Sequence, residues 1–188
     1  MKVLIATQNK SKFDIISKMI KSILSGEIEF KNLNEYPNFE DIEEIGNNIE
    51  RAKAKAYNAK KQINDEFDVI LGIDDGIILK NVEYTAVKEH LYDIIVGDAI
   101  KIGEMIYITR AYYLIAKDNK ESYCFNKIPY VVRQKLNDLN QGGYPLNDVI
   151  STINDDIVLS DMTEEELNDY FLSYNLNDLK NMFKIINK

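Results

Sequence analysis

Residues 1–12, Met1-Lys2-Val3-Leu4-Ile5-Ala6-Thr7-Gln8-Asn9-Lys10-Ser11-Lys12, set a short apolar run directly against a polar turn. Val3 to Ala6 reads as a buried strand. From Ser11 onward, Phe13, Ile16, Met19, Ile20, Ile23 and Leu24 recur at helical spacing, with Asn9 or Ser11 placed to cap. Strand, turn and helix in that order open an α/β sheet, and the rest of the chain continues it. Glu44 to Gln62 reads as a second helix, with Ile45, Ile49, Ala52, Ala56 and Ala59 on one stripe. Phe67 to Ile73 reads as a second buried strand, ending in Asp74-Asp75-Gly76. Two aromatic and β-branched runs, Glu104 to Ala116 and Glu121 to Val132, flank Asp118-Asn119-Lys120 and predict a long hairpin. Thr163 and Glu166 have the capping-box spacing that starts a C-terminal helix. The expected class is a mixed α/β domain with a substantial sheet. No repeat, low-complexity tract or linker interrupts it, so residues 1–188 read as a single domain.

Composition narrows the function. The chain has 188 residues, 45% hydrophobic and 29% charged, enough to bury a core without disulfides or structural metal. A formal net charge of −8 argues against binding to long nucleic acid. Positive charge nevertheless exceeds negative over residues 1–62, while residues 147–188 are strongly acidic, so an anion-binding surface is expected in the first third. The N-terminus is neither a signal peptide nor a membrane span, which makes the cytoplasm the expected location. Single residues Cys124 and His90 exclude an intrachain disulfide, a His-Cys zinc site and any catalytic triad not built on His90. Cys124 alternates with Tyr123 and Phe125 in a strand pattern and reads as a structural thiol; His90 is given no role.

Three groups of residues could carry chemistry. Thr7, Asn9, Lys10, Ser11 and Lys12 lie where a strand becomes a helix, a place that favours a phosphate; the same residues also suit an ordinary capped turn. Asp74 and Asp75 close a buried strand, where adjacent carboxylates suit a divalent cation beside an anionic substrate; Gly76 equally permits a plain Asp-Asp-Gly turn. Glu40, Asp41, Glu43 and Glu44, followed by Arg51, Lys53 and Lys55, form a charge run that most often is a solvated helix face.

In order and spacing these groups resemble the inosine triphosphate pyrophosphatase-like family. The similarity runs through Thr7-x-Asn9-x-x-Lys12, Glu44-x-Gly46, Glu50-x-Ala52-x-x-Lys55-Ala56 and Asp74-Asp75-Gly76. It continues through Thr109-Arg110-Ala111-Tyr112-Tyr113, Gly143-Tyr144-Pro145, and Thr163 to Glu166 with Leu172-Ser173. The resemblance implies a long curved central sheet with flanking helices, two lobes around a cleft, and a homodimer. It implies a magnesium-dependent hydrolysis of nucleoside triphosphates carrying non-standard bases, such as ITP, XTP and dITP, to the monophosphate and pyrophosphate. Carried over by position, Thr7, Asn9, Lys12, Lys55 and Ser173 would bind substrate. Glu44 and Asp75 would hold magnesium, with Glu43 the alternative to Glu44. Asp74, Asp75 and Lys55 would be catalytic, Asp74 activating water.

The departures bear on the base. The family's Ser-His-Arg is Ser173-Tyr174-Asn175 here, the aspartate between Tyr144 and Pro145 is missing, and Arg51 stands where the family has a neutral asparagine, adding charge near the site or facing water. A pocket without His and Arg donors recognises a purine O6 differently. Tyr123, Phe125, Tyr130 and Tyr144 are candidates to stack on a base. Two alternatives stay open: a nucleotide-binding protein with weakened catalysis, and a hydrolase of another phosphorylated metabolite.

Overall fold

The computed structural model describes residues 1–85, 100–134 and 145–187; His90, Gly143 and Tyr144 lie outside them. Strand β1 (Lys2–Ala6) leads into helix α1 (Lys10–Ile23), followed by β2 (Glu29–Asn32), a short 3-10 turn (Leu33–Glu35) and helix α2 (Asn48–Gln62). Strands β3 (Val69–Leu79), β4 (Val82–Tyr84), β5 (Met105–Ala116), β6 (Glu121–Val132) and β7 (Ile150–Thr152) precede helix α3 (Glu164–Phe183). The sheet has the order β2-β1-β3-β5-β6-β7, with β4 paired to β3. It is mixed: β1 runs parallel to β2 and β3, while β3–β4 and β6–β7 are antiparallel.

Local chemistry accounts for most element ends. Val3, Leu4 and Ile5 are fully buried, as expected of a strand paired on both sides within a parallel segment. The β5–β6 hairpin closes where the Ala116 N–H donates to the Lys120 carbonyl at 2.8 Å, with Asn119 at φ 65°. At the start of α3, the Glu166 N–H donates to Thr163 Oγ1 at 3.3 Å and the Thr163 N–H to Glu166 Oε2 at 2.9 Å, a reciprocal cap.

Two expectations are corrected. Strand β3 does not end in a turn at Asp74-Asp75-Gly76; it runs on to Leu79, because Ile77 and Leu79 are buried and pair with Tyr84 and Val82. The turn falls instead at Lys80-Asn81, both at positive φ (49° and 65°), as a two-residue hairpin requires. Helix α2 starts at Asn48, not Glu44. Asn47 accepts from the amides of Ile49 and Glu50 while Glu50 reaches back to the Asn47 amide, and Gly46 at φ 95° turns the chain into that cap. Glu44 and Ile45 therefore precede the helix, and Ile45 is 71% exposed.

The chain divides into two compact units that interleave in sequence: Met1–Asp74 with Arg110–Asn126 and Asn175–Lys188, and Asp75–Thr109 with Lys127–Tyr174. The first has its core in Leu4, Leu33, Ala52, Ala56, Phe67 and Ile115. In the second, Ile77, Ile106, Ile128, Tyr130, Leu146 and Ile150 form the core, where Tyr170 packs on Tyr130 with ring centroids 5.5 Å apart and donates its hydroxyl to the Pro129 carbonyl. Among the described residues no helix is long and apolar enough to cross a membrane.

Candidate active site

The parallel register of β1 and β3 builds one edge of the first unit. Ala6 lies opposite Gly72, the last pair between these strands, so Thr7 and Asp74 both lie just past the C-terminal end of the paired stretch. Thr7 Oγ1 accepts from the Asn9 N–H at 3.2 Å, Asn9 Oδ1 accepts from the Lys12 N–H at 3.0 Å, and the Phe13 N–H donates to the Asn9 carbonyl at 3.0 Å. Asn9, not Ser11, is thus the cap of α1. The turn is braced from β2's end: the Leu33 N–H donates to the Thr7 carbonyl and Asn34 Nδ2 to the Gln8 carbonyl. Lys10 and Ser11 amides come before any intrahelical acceptor, and the helix dipole favours negative charge in front of them.

Helix α2 approaches β3 at Gly72. A Cβ there would stand 1.9 Å from the Ala52 carbonyl oxygen, so only glycine allows this contact. Arg51 and Lys55, each one residue before a packed alanine, are thereby brought to Asp74, two residues beyond Gly72. Lys55 Nζ lies 2.6 Å from Asp74 Oδ1 and 2.9 Å from Glu44 Oε1. Arg51 donates from Nε to Asp74 Oδ2 at 3.0 Å, from one terminal nitrogen to the Glu44 carbonyl at 2.9 Å, and from the other to the Glu44 carboxylate. Asp74 is 3% and Arg51 7% exposed, so two cations and two carboxylates form an ion cluster with little water around its centre.

Burial pushes the Asp74 carboxyl above its ordinary value, against the pull of Lys55 and Arg51. For Glu44, less deeply set, burial also acts upward, but the hydrogen bond and charge of Lys55 with the charge of Arg51 win and hold it below the usual range. Burial lowers the Lys55 ammonium, and Asp74 and Glu44 more than offset this, leaving it raised.

Arg51 is the member of this group whose position the sequence left open. It does not face water: it is buried against Glu44 and Asp74. Of the two glutamates weighed, Glu44 makes these bonds while Glu43 is exposed. Asp75 follows Asp74 in β3, half-buried, and belongs to the second unit. Ser173 is exposed on α3 and its Oγ donates to its own helix, to the Tyr170 carbonyl at 2.7 Å. Asn175, where the resembled family has its arginine, is fully buried and accepts from the Tyr112 hydroxyl at 3.2 Å and from Asn126 Nδ2 at 2.7 Å.

The aromatic candidates separate. Tyr130 is fully buried core. Tyr123 is 61% exposed and stacks on Tyr113 at 6.3 Å, while Phe125 is half-buried. Burial and the nearby Asp178 push the Cys124 thiol up to about 12, as a structural thiol requires. A hollow of about 510 Å³ at Met1, Asp68, Ala116, Lys117, Asp118 and Ile186 lies where β1 and β3 begin, at the opposite end of those strands from Thr7 and Asp74. Among the described residues no three His, Cys, Asp or Glu side chains cluster as a metal cage. Magnesium rarely uses one; it binds one or two carboxylates together with substrate phosphates. The carboxylate oxygens of Glu44 and Asp74 are hard donors of that kind, and here Arg51 and Lys55 hold them.

No protein-family model matches the chain, and no curated protein matches its sequence. Solved structures do match its fold. A HAM1 protein from Coxiella burnetii superposes with a TM-score of 0.71 at 17% identity, covering 98% of each chain. The Staphylococcus aureus Ham1 protein gives 0.68 at 12% identity, again over 98% of each. A nucleoside-triphosphatase described as a dITP/XTP pyrophosphatase, from Mycobacterium abscessus, gives 0.63 at 15%, covering 92% of this chain and 94% of its own. The chain has the mixed α/β fold of these proteins.

Proposed function

We propose that this protein is a nucleoside triphosphate pyrophosphatase, acting with magnesium on non-standard or modified nucleotides such as ITP, XTP and dITP. The observation that carries the proposal is the ion cluster of Asp74, Lys55, Glu44 and Arg51 on the unit that also bears the Asn9-capped start of α1. A buried carboxylate beside a phosphate-favouring helix start suits hydrolysis of a phosphoric anhydride. The fold shared with a dITP/XTP pyrophosphatase supports the same reading.

In the proposed reaction, water attacks the α-phosphorus, the bond to the bridging oxygen breaks, and pyrophosphate leaves. The Asp74 carboxylate accepts the proton of the attacking water; burial, which raises its basicity, favours that role. Lys55 orients Asp74 and offsets phosphate charge. Thr7, Asn9, the α1 amides and Lys12 bind the phosphates. Glu44 and Asp75 are the proposed magnesium ligands, Glu44 in the first unit and Asp75 assigned from its sequence alone. When bound, magnesium would neutralise charge on the phosphate oxygens. Ser173 is retained as a proposed substrate contact. A homodimer, which the resemblance implies, and a cytoplasmic setting belong to the same proposal.

The test is pyrophosphate release from a panel of ITP, XTP, dITP, the standard nucleotides and modified ones, with magnesium and again with EDTA. Magnesium-dependent release is the expected result. No release from any triphosphate by folded protein would sink the proposal. The burial of Asn175 in a structural hydrogen-bond network favours a base preference other than one read by His and Arg.

A further inference from the structure

The chemistry assigned above asks Glu44, which shares Lys55 and Arg51 with the proposed base Asp74, to hold a divalent cation, yet the protein already supplies its own counter-charge there. Arg51 is almost fully buried and spends its guanidinium on Asp74 Oδ2, the Glu44 carboxylate and the Glu44 carbonyl. Lys55 bridges the same two carboxylates from the other side. Two cations on two carboxylates leave no net negative charge. A strongly hydrated ion such as magnesium gives up water only for donors that carry such charge. Lys55 can be swung away on its flexible stem, whereas the planar fork of Arg51 is fixed on both partners.

We propose that Arg51 is a built-in counter-cation that keeps the free protein from holding a divalent metal, so that the metal is admitted only with the nucleotide. The triphosphate supplies the missing negative charge and draws Lys55 toward itself. Arg51 is a positioning residue here: it holds Glu44 by both main chain and side chain. The second half of the proposal rests on the pyrophosphatase reading; the first half, weak metal binding by the free protein, does not.

The experiment uses manganese alone as the probe, with free ion counted by its paramagnetic resonance, on full-length wild type, Arg51→Gln, Arg51→Lys and the double variant Arg51→Gln/Glu44→Gln. Removing one positive charge a few ångströms from a divalent ion is worth about tenfold in affinity even in the dielectric of water. Arg51→Gln is therefore expected to bind manganese at least about tenfold more tightly than wild type. Arg51→Lys is expected to stay weak, and the gain should vanish in the double variant. A second arm adds a triphosphate with a non-hydrolysable α,β-methylene bridge, which is expected to bring manganese onto wild type. Wild type binding manganese as tightly as Arg51→Gln, or a gain indifferent to Glu44→Gln, overturns the proposal. If Arg51→Gln does not fold, wild type decides: micromolar manganese affinity without nucleotide overturns it, and millimolar affinity that tightens with the analogue supports it. No turnover enters the first arm, so its failure concerns Arg51 alone, whereas silence across the pyrophosphate panel concerns the activity alone.

Discussion

At the scale of the residue, Asp74 is the position where burial and charge pull in opposite directions. Its carboxyl is raised by burial although Lys55 and Arg51 touch it. If Asp74 takes the proton from water, it must be ionised to act, so kcat/KM should fall as pH drops through a value above that of an ordinary aspartate. A profile flat down to the ordinary aspartate range would remove it as the base. Asp74→Asn is expected to lower kcat about 100-fold or more. Lys55 and Arg51 are then left with one carboxylate between them, but the charge that burial opposes is removed as well, so stability at neutral pH should change little. Asp75→Asn separates a metal ligand from a strand residue. Half-buried within β3, Asp75 should tolerate the amide with little loss of stability. The magnesium concentration for half-maximal turnover should rise, and an unchanged magnesium dependence would end the assignment.

At the scale of the element, α2 and β3 set the positions of Arg51, Lys55 and Asp74 through one glycine. Gly72→Ala would drive a methyl into the Ala52 carbonyl, and α2 would have to retreat. The expected cost is about 3 kcal/mol, with a fall in activity larger than the remaining folded fraction explains, because Lys55 moves with the helix. Gly26→Ala is the matching control: φ is 101° but nothing lies within 4 Å, so about 1 kcal/mol is lost with no change in turnover per folded molecule. Equal kinetic effects from the two would show that the close approach at Gly72 does not position Lys55. The same elements show what a linear reading reaches. Strand β1, the Asn9 cap, the β5–β6 hairpin and the Thr163 cap were legible because each is fixed by residues within a few positions of one another. Two signals misled. Asp74-Asp75-Gly76 has turn chemistry, but Ile77 and Leu79 gain more by staying in the sheet than the chain gains by turning, and Lys80-Asn81 makes the turn instead. Glu44 and Ile45 fitted a helical stripe, yet the reciprocal Asn47–Glu50 cap, itself visible as Asn47-x-x-Glu50, starts α2 later. The bond from Arg51 to Asp74 was hidden for a different reason. It joins residues 23 apart, and only the Gly72 contact brings them together.

At the scale of the whole molecule, charge decides the range of pH over which the protein should stay folded. Glu44, Glu35, Asp65, Glu66, Asp118, Glu121 and Glu166 all have depressed carboxyl values. Burial dominates Glu35 and Glu44 but is outweighed by their cations and hydrogen bonds; Lys117, Lys120, the Thr163 amide and the hydroxyls of Tyr36 and Tyr113 lead at the others. A depressed carboxyl stabilises the fold above its unfolded value, and that contribution is lost as pH falls through the folded one. Asp74, raised by burial, works the other way and removes part of this gain near neutrality. On the alkaline side, Lys31, Lys55 and Lys117 are raised, and so are the Tyr57 and Tyr113 hydroxyls, which both donate to Glu121. Raised groups stabilise below their unfolded values and lose that contribution as pH rises through the folded ones. Stability should therefore be level from about pH 5 to 9 and fall on both sides, as the carboxylates titrate below and the lysines and tyrosines above. Urea unfolding across pH 3 to 11 measures this. Most of these pairs are exposed, so salt should flatten the curve, while the part owed to Glu44 and Lys55 should persist because their partners are buried. Arg51→Gln should then lower the plateau in a way added salt does not restore, and salt rescue would mean that the cluster is wet in solution.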